Sequence, residues 1–225
     1  MLPYSFLFMY FNIHTHTPSG QAIEIVNCTG KQAEFPHFSF GIHPWDVEKS
    51  TFTLTELSEK LNATGCIALG EIGLDKLKGP SMELQLAVFK QQIALSEKFK
   101  LPVIIHCVRA WNEIKLVKKE LNPKQTWIFH GFTKTSLLKD VLENGIYISI
   151  GTAVLINKKV QDILPAIPND RLFLETDNSN CRISAVYEKV SELKKLPLQE
   201  LEQILENNFN RVFTRWKIGS NEQNL

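Results

Sequence analysis

The chain has 225 residues, 44% of them hydrophobic and 22% charged, and a formal net charge of +1. That is enough apolar material for one well-buried core, with no shift in composition to mark a second unit, so a single domain over residues 1–225 is expected. The near-zero charge excludes a global attraction to nucleic acid or membrane, and any polyanion would have to be met by local positive charge.

The opening run from Met1 to Phe11 is apolar, yet it lacks a basic start and a small-residue cleavage site and is too short to span a bilayer. The first strand pattern begins at Tyr10, so Met9 is the expected start, with residues 1–8 a dispensable extension. Four cysteines, Cys28, Cys66, Cys107 and Cys181, form no Cys-x-x-Cys pair, and a reducing cytoplasm is the expected location.

Taken in chain order, Phe11-Asn12-Ile13-His14-Thr15-His16 closes the first strand. Ala22 to Cys28 and Phe38 to Ile42 read as the second and third, each bounded by Gly or Pro. An amphipathic helix from about Leu54 to Leu61 precedes a fourth strand, Cys66 to Gly70. Ser81 caps a helix with Leu86, Phe89 and Ile93 on one face, ending near Phe99. The rhythm then becomes regular: strand Val103 to His106, helix Trp111 to Glu120, strand Thr126 to His130, helix Ser136 to Glu143, strand Ile146 to Ile150. Helix Lys158 to Leu164, strand Leu172 to Glu175, and helices Ser184 to Leu193 and Leu198 to Trp216 complete the count, with residues 217–225 a frayed tail.

Eight near-continuous apolar strands alternating with helices predict an α/β fold, a (β/α)8 TIM-type barrel with a parallel sheet buried on both faces. The start fits least well. Thr17 to Gln21 must join strands one and two, and five extended residues reach only roughly 17 Å, short for a parallel crossover. Either the first one or two crossover helices are reduced to extended connectors, which is the favoured reading, or Pro18-Ser19-Gly20 turns an antiparallel hairpin.

In such a barrel chemistry collects where strands end. His14 and His16, at i and i+2, can share one side of a strand. An isolated His-x-His is more often an ordinary pair, but Glu71, His106, His130, Glu175 and Asp177 also stand at strand ends. Imidazoles with carboxylates form a nitrogen and oxygen donor set suited to zinc, manganese or a similar divalent ion, and the set is larger than one ion needs. A bridging carboxylate would let it hold two ions about 3.5 to 4 Å apart, the arrangement that clamps a hydrolysed phosphoester.

The motifs His14-Thr15-His16, Gly41-Ile42-His43-Pro44, Gly70-Glu71-Ile72-Gly73-Leu74-Asp75, Pro102-Val103-Ile104-Ile105-His106, His130-Gly131-Phe132, Gly145 to Ser149 and Leu174-Glu175-Thr176-Asp177 are each common alone and specific in this order. The chain resembles the TatD family of metal-dependent hydrolases, best known as deoxyribonucleases, from His14 to about Phe213. The resemblance implies two divalent ions (Zn, Mg or Mn), one held by His14, His16, Glu71 and Asp177, the other by Glu71, His106 and His130. Glu71 would bridge them, and Asp177 would orient and deprotonate the attacking water.

Departures from the family pattern fall around the substrate. Asn12 replaces an Asp before the His pair. After His106 the family's Ser-Arg-Asp-Ala is Cys107-Val108-Arg109-Ala110, and after His130 its Cys-Phe-Ser-Gly is Gly131-Phe132-Thr133-Lys134. Asn178 to Arg182 lacks the usual proline-bearing loop.

His43, Trp45, Arg109, Lys134 and Arg182 are the candidate substrate contacts, with Lys76 and Lys78 on loops at the same end. Bland readings stand beside them. His43 serves structure as readily as substrate, Trp45 or Trp111 anchors a loop, Asp75 orients a histidine or caps the Gly73 turn, Cys107 is core, and His37 has no role. Lys115, Lys118, Lys119, Lys194 and Lys195 form a solvated face. The expected function is a monomeric two-metal hydrolase of phosphodiester bonds acting on DNA or a small phosphoester, with no membrane partner. Amide, lactone or ester cleavage is the alternative, and a non-catalytic metal- or partner-binding barrel a second one.

Overall fold

A computed structural model describes residues 9–29, 35–50 and 54–216. The expected extension 1–8 and tail 217–225 lie outside them. Eight strands, β1 (Phe11–Thr15), β2 (Ile23–Cys28), β3 (Phe38–Phe40), β4 (Cys66–Asp75), β5 (Val103–Val108), β6 (Trp127–Phe129), β7 (Tyr147–Ile150) and β8 (Leu172–Leu174), follow one another in sheet order, every pair parallel. A parallel bridge between Thr15 and Asp177 brings β8 back to β1, with His16 N–H donating to Asp177 C=O and Asp177 N–H to His14 C=O, both at 3.0 Å.

Around the barrel lie α1 (Leu54–Asn62), α2 (Met82–Phe99), α3 (Trp111–Leu121), α4 (Leu138–Glu143), α5 (Lys158–Ile163), α6 (Ile183–Lys194) and α7 (Leu198–Val212). Ser81 caps α2 as its sequence predicts, its side chain accepting from Leu84 N–H.

The first connector is extended and carries no helix, and β1 and β2 pair in parallel, so the hairpin alternative does not occur. Glu24 makes so short a link workable. Its carboxylate accepts the N–H groups of Ser19 and Gly20 at 2.8 and 2.9 Å, satisfying turn donors that a crossover helix would have paired internally.

The ends of β4 and β3 are among those that differ from expectation. β4 runs on past Gly70 to Asp75 beside β5, across a register shift between Leu69 and Ile72. Gly70 and Gly73 permit this, because a Cβ on either would run into Ile104 or the His106 carbonyl of β5. β3 stops at Phe40, and Ile42 is fixed instead by the buried amide of Gln92, which accepts from its N–H at 2.7 Å and donates to its C=O at 3.0 Å.

Strand residues alternate between two apolar clusters. Ile104, Ile128 and Phe173 join Phe209 of α7 and Phe213 just after it in the inner one, while their neighbours Val103, Ile105, Trp127, Phe129, Leu172 and Leu174 pack in the outer one. Because α7 packs on the beginning of β1, with Phe11 and Phe209 rings 4.6 Å apart, it seals the barrel end where the strands start. Inward parity continues to the other end at His106, His130, Glu175 and Asp177, each an even number of residues beyond an inner-cluster member.

Candidate metal centre

The six residues expected as metal ligands converge at the C-terminal end of the barrel. Glu71, 6% exposed, stands at their centre with its two oxygens facing different groups. Oε1 lies 2.6 Å from His106 Nδ1, 2.7 Å from His130 Nε2 and 3.3 Å from His43 Nε2. Oε2 lies 3.4 Å from His14 Nε2 and 3.7 Å from His16 Nε2, and the same two nitrogens are 3.6 and 3.5 Å from Asp177 Oδ1. Donor atoms close enough to share an ion occur as His14-Glu71-His130, His14-His16-Asp177 and His43-Glu71-His106.

This donor chemistry fits a divalent ion. His14 is fully buried, and neither ring nitrogen has a hydrogen-bond partner. A neutral imidazole so placed costs free energy unless a cation takes its lone pair. Burial alone would raise the Glu71 carboxyl, but the charge of His130 and the hydrogen bonds of His106 and His130, with His14 close by, hold it well below the usual carboxylate range. Burial works against charge on His130 as well, yet Glu71 and Glu175 raise it well above the ordinary histidine value. Asp177 is also lowered, burial being outweighed by the nearby His14 and the charge of His130. The carboxylates are therefore ionised and ready to ligate.

Three further side chains hold this group in place. Glu175, 0% exposed, puts Oε1 3.4 Å from His130 Nδ1 while accepting Gly131 N–H at 2.6 Å. Asp75 takes the histidine-orienting role that its sequence left open, and caps the turn after it rather than one at Gly73, which lies within β4. Its Oδ2 lies 3.2 Å from His106 Nε2 and accepts Trp45 Nε1–H at 2.6 Å, and its Oδ1 accepts the N–H groups of Leu77 and Lys78. Such partners fix which imidazole nitrogen is free to ligate. Asn27, given no role by the sequence reading, accepts Glu71 N–H at 2.9 Å and Ser39 O–H at 3.2 Å, which sets the backbone that carries Glu71. A polar residue at the end of an otherwise apolar strand was the available signal.

With this geometry in view, the comparison with known proteins is decisive on family. The model of the family described as TatD related DNase matches residues 10–214. The chain belongs to the TatD family. It is 30% identical over 203 residues to the uncharacterized metal-dependent hydrolase YabD of Bacillus subtilis, covering 81% of this chain and 79% of that one. It is 28% identical to the 3'-5' ssDNA/RNA exonuclease TatD of Edwardsiella piscicida, covering 88% and 84%. In fold it matches the crystal structure of YjjV, a TatD homologue from Escherichia coli, with a TM-score of 0.80 at 24% identity over 92% and 99% of the two chains. The protein is accordingly a metal-dependent hydrolase of the TatD family.

The positions where this TatD chain departs from its family pattern are now placed. Asn12 ties β1 to the segment after β8, donating to Thr176 Oγ1 at 2.8 Å and accepting Thr176 N–H at 3.1 Å, and among its hydrogen bonds none reaches a centre imidazole. A cavity of about 390 Å3 opens over the centre, lined among others by His43, Trp45, Asp46, Cys107, Thr133, Lys134 and Asp177. His43, Trp45 and Lys134 thus face it, whereas Arg109 and Arg182 are exposed and are not among its lining residues. Trp111 packs in the core, buried with its indole N–H donating to Asp140 of α4.

Cys107, expected as core, lines the cavity and is only partly buried, because β5 extends past His106 and carries it to the rim. The lysines expected as a solvated face are partly engaged: Lys115 pairs with Asp140, Lys118 lies over the Trp127 ring, and Lys194 donates to Ile167 C=O. His37 packs edge-on against Trp216, remote from the centre. No described helix is long and apolar enough to cross a membrane.

Proposed function

We propose that this TatD-family chain is a two-metal hydrolase of phosphodiester bonds, removing nucleotides from an end of DNA. The observation that carries the reading is the division of Glu71 between two donor groups, one oxygen toward His14 and His16 and the other toward His106 and His130. A carboxylate facing two ways is what a bridged pair of ions requires. His14, His16, Glu71 and Asp177 would hold one ion, and Glu71, His106 and His130 the other. Bound there, divalent ions would lower the pKa of an attacking water and offset the charge of the phosphoryl oxygens.

The protein's own groups divide the remaining work by exposure. Glu71, almost fully buried and ringed by imidazoles, is a holding residue with no path to release a proton. The side chain of Asp177 is 40% exposed at the cavity, so it can orient a water, take its proton and pass it to solvent. The cavity volume falls within the range of small-molecule sites and suits one terminal nucleotide. Trp45, 37% exposed on its rim, offers an aromatic surface for a base. Relatives named as 3'-5' ssDNA/RNA exonucleases favour the same substrate class.

The test is chelation followed by reconstitution with zinc, manganese or magnesium, counting ions per chain and assaying single- and double-stranded DNA beside simple phosphoesters, amides and lactones. Two ions per chain and DNA cleavage are expected, with Glu71→Ala and Asp177→Ala folded but inactive. Cleavage of amides or lactones with DNA untouched, or an active Glu71→Ala variant, would overturn the proposal.

A further inference from the structure

A phosphodiester substrate brings negative charge to a cavity that already has Asp46, Glu71 and Asp177 in its walls. Bound ions offset charge at the reacting phosphate, but a neighbouring phosphate needs a protein cation. Five lysines and arginines follow strands at this end of the barrel, and the structure separates them. Lys76 is committed to Glu113, its Nζ 2.6 Å from Oε1. Lys78 lies over the Trp45 ring, 3.4 Å from the centroid. Arg109, with φ of 54°, and Arg182 are exposed but are not cavity-lining residues.

Lys134 is the one lysine or arginine among the described residues that line the cavity, and it has no carboxylate in ion-pair reach among them. Its backbone is held by Leu137 N–H donating to its C=O at 2.9 Å, at the start of the 3-10 turn Thr135–Leu137.

We infer that Lys134 holds a phosphate of the nucleic-acid substrate. The assignment rests on the phosphodiester reading above. A lysine meets phosphate as a mobile point charge, so charge at 134 matters more than shape, and Lys134→Arg should substitute for it.

The test is binding of a dye-labelled single-stranded oligodeoxynucleotide to chelator-treated protein, followed by anisotropy across a salt series. Lys134→Ala should weaken binding about fivefold at low salt. It should also reduce the slope of log affinity against log salt by about 0.7, the share of one phosphate contact on a single strand. Lys134→Arg should restore both, while Lys90→Ala, a charge deletion on α2, should change neither. A wild-type slope in Lys134→Ala, a loss found in Arg109→Ala instead, or no binding by the wild-type chain would overturn the assignment. Metal-loaded protein that leaves DNA uncut while the Lys134-dependent slope persists would overturn the phosphodiesterase reading alone.

Discussion

The most informative single substitution is at Glu175, because it separates orienting a metal ligand from being one. Glu175 is fully buried, accepts Gly131 N–H at 2.6 Å through Oε1 and sets the same oxygen 3.4 Å from His130 Nδ1, on the far side of the ring from Glu71. Glu175→Gln can keep an acceptor for Gly131 but removes the charge that makes His130 a stronger ligand. Loss of such an outer partner costs roughly 10- to 100-fold in metal affinity, or about 1.4 to 2.7 kcal/mol. Glu175→Ala also strands the Gly131 donor, a further cost of about 1 to 3 kcal/mol in stability, which lowers the unfolding midpoint by roughly 2 to 12 °C. Zinc titration against a chromophoric chelator should show weakening at the ion proposed for His106 and His130, with the one proposed for His14 and His16 much less affected. Thermal unfolding of the metal-free variants supplies the second readout. A Glu175→Gln protein that binds both ions like wild type would refute the reasoning.

Gly73→Ala should destabilise by about 3 kcal/mol or more in urea unfolding, since at φ of 150° its Cβ would collide with the His106 carbonyl, backbone that cannot step aside; a cost under about 1 kcal/mol would contradict this. Arg215→Ala should cost about 2 kcal/mol, because the guanidinium donates to Leu61 C=O at 2.8 Å and Phe99 C=O at 2.7 Å and so ties the chain after α7 to the ends of α1 and α2. Lys at 215 should recover little of it, since one ammonium cannot reproduce the fork. The Cys66 thiol is raised by burial from 9.0 to about 12. The unfolded thiol ionises first as pH rises, so stability contributed below pH 9 is lost between 9 and about 12, at up to about 1.4 kcal/mol per pH unit. Chemical unfolding at pH 8 and pH 10.5 should show a smaller alkaline loss in Cys66→Ala than in wild type, and equal losses would contradict the assignment.

Much of this protein was determined along the chain itself. Alternating apolar strands and amphipathic helices pointed to the barrel, because eight parallel strands buried on both faces and each followed by a helix or connector suit a closed sheet. The His14 and His16 pair and the acids and histidines at later strand ends marked the centre for the same reason, since parallel strands all end at one mouth. What the sequence left open depends on contacts between residues far apart in it. The pairing of β1 with β2 turned on Glu24 gathering the N–H groups of Ser19 and Gly20, and the reach of β4 to Asp75 turned on two glycines meeting β5. The partners of His106 and His130, Asp75 and Glu175, follow from register across the sheet, which fixes which nitrogen of each ring faces Glu71. Charge placement was least legible. Lys76, Lys78, Arg109, Lys134 and Arg182 look alike as loop cations, and only the fold assigns one to Glu113, one to Trp45 and one, Lys134, to the open cavity, because a flexible side chain takes its direction from neighbours that sequence order does not name.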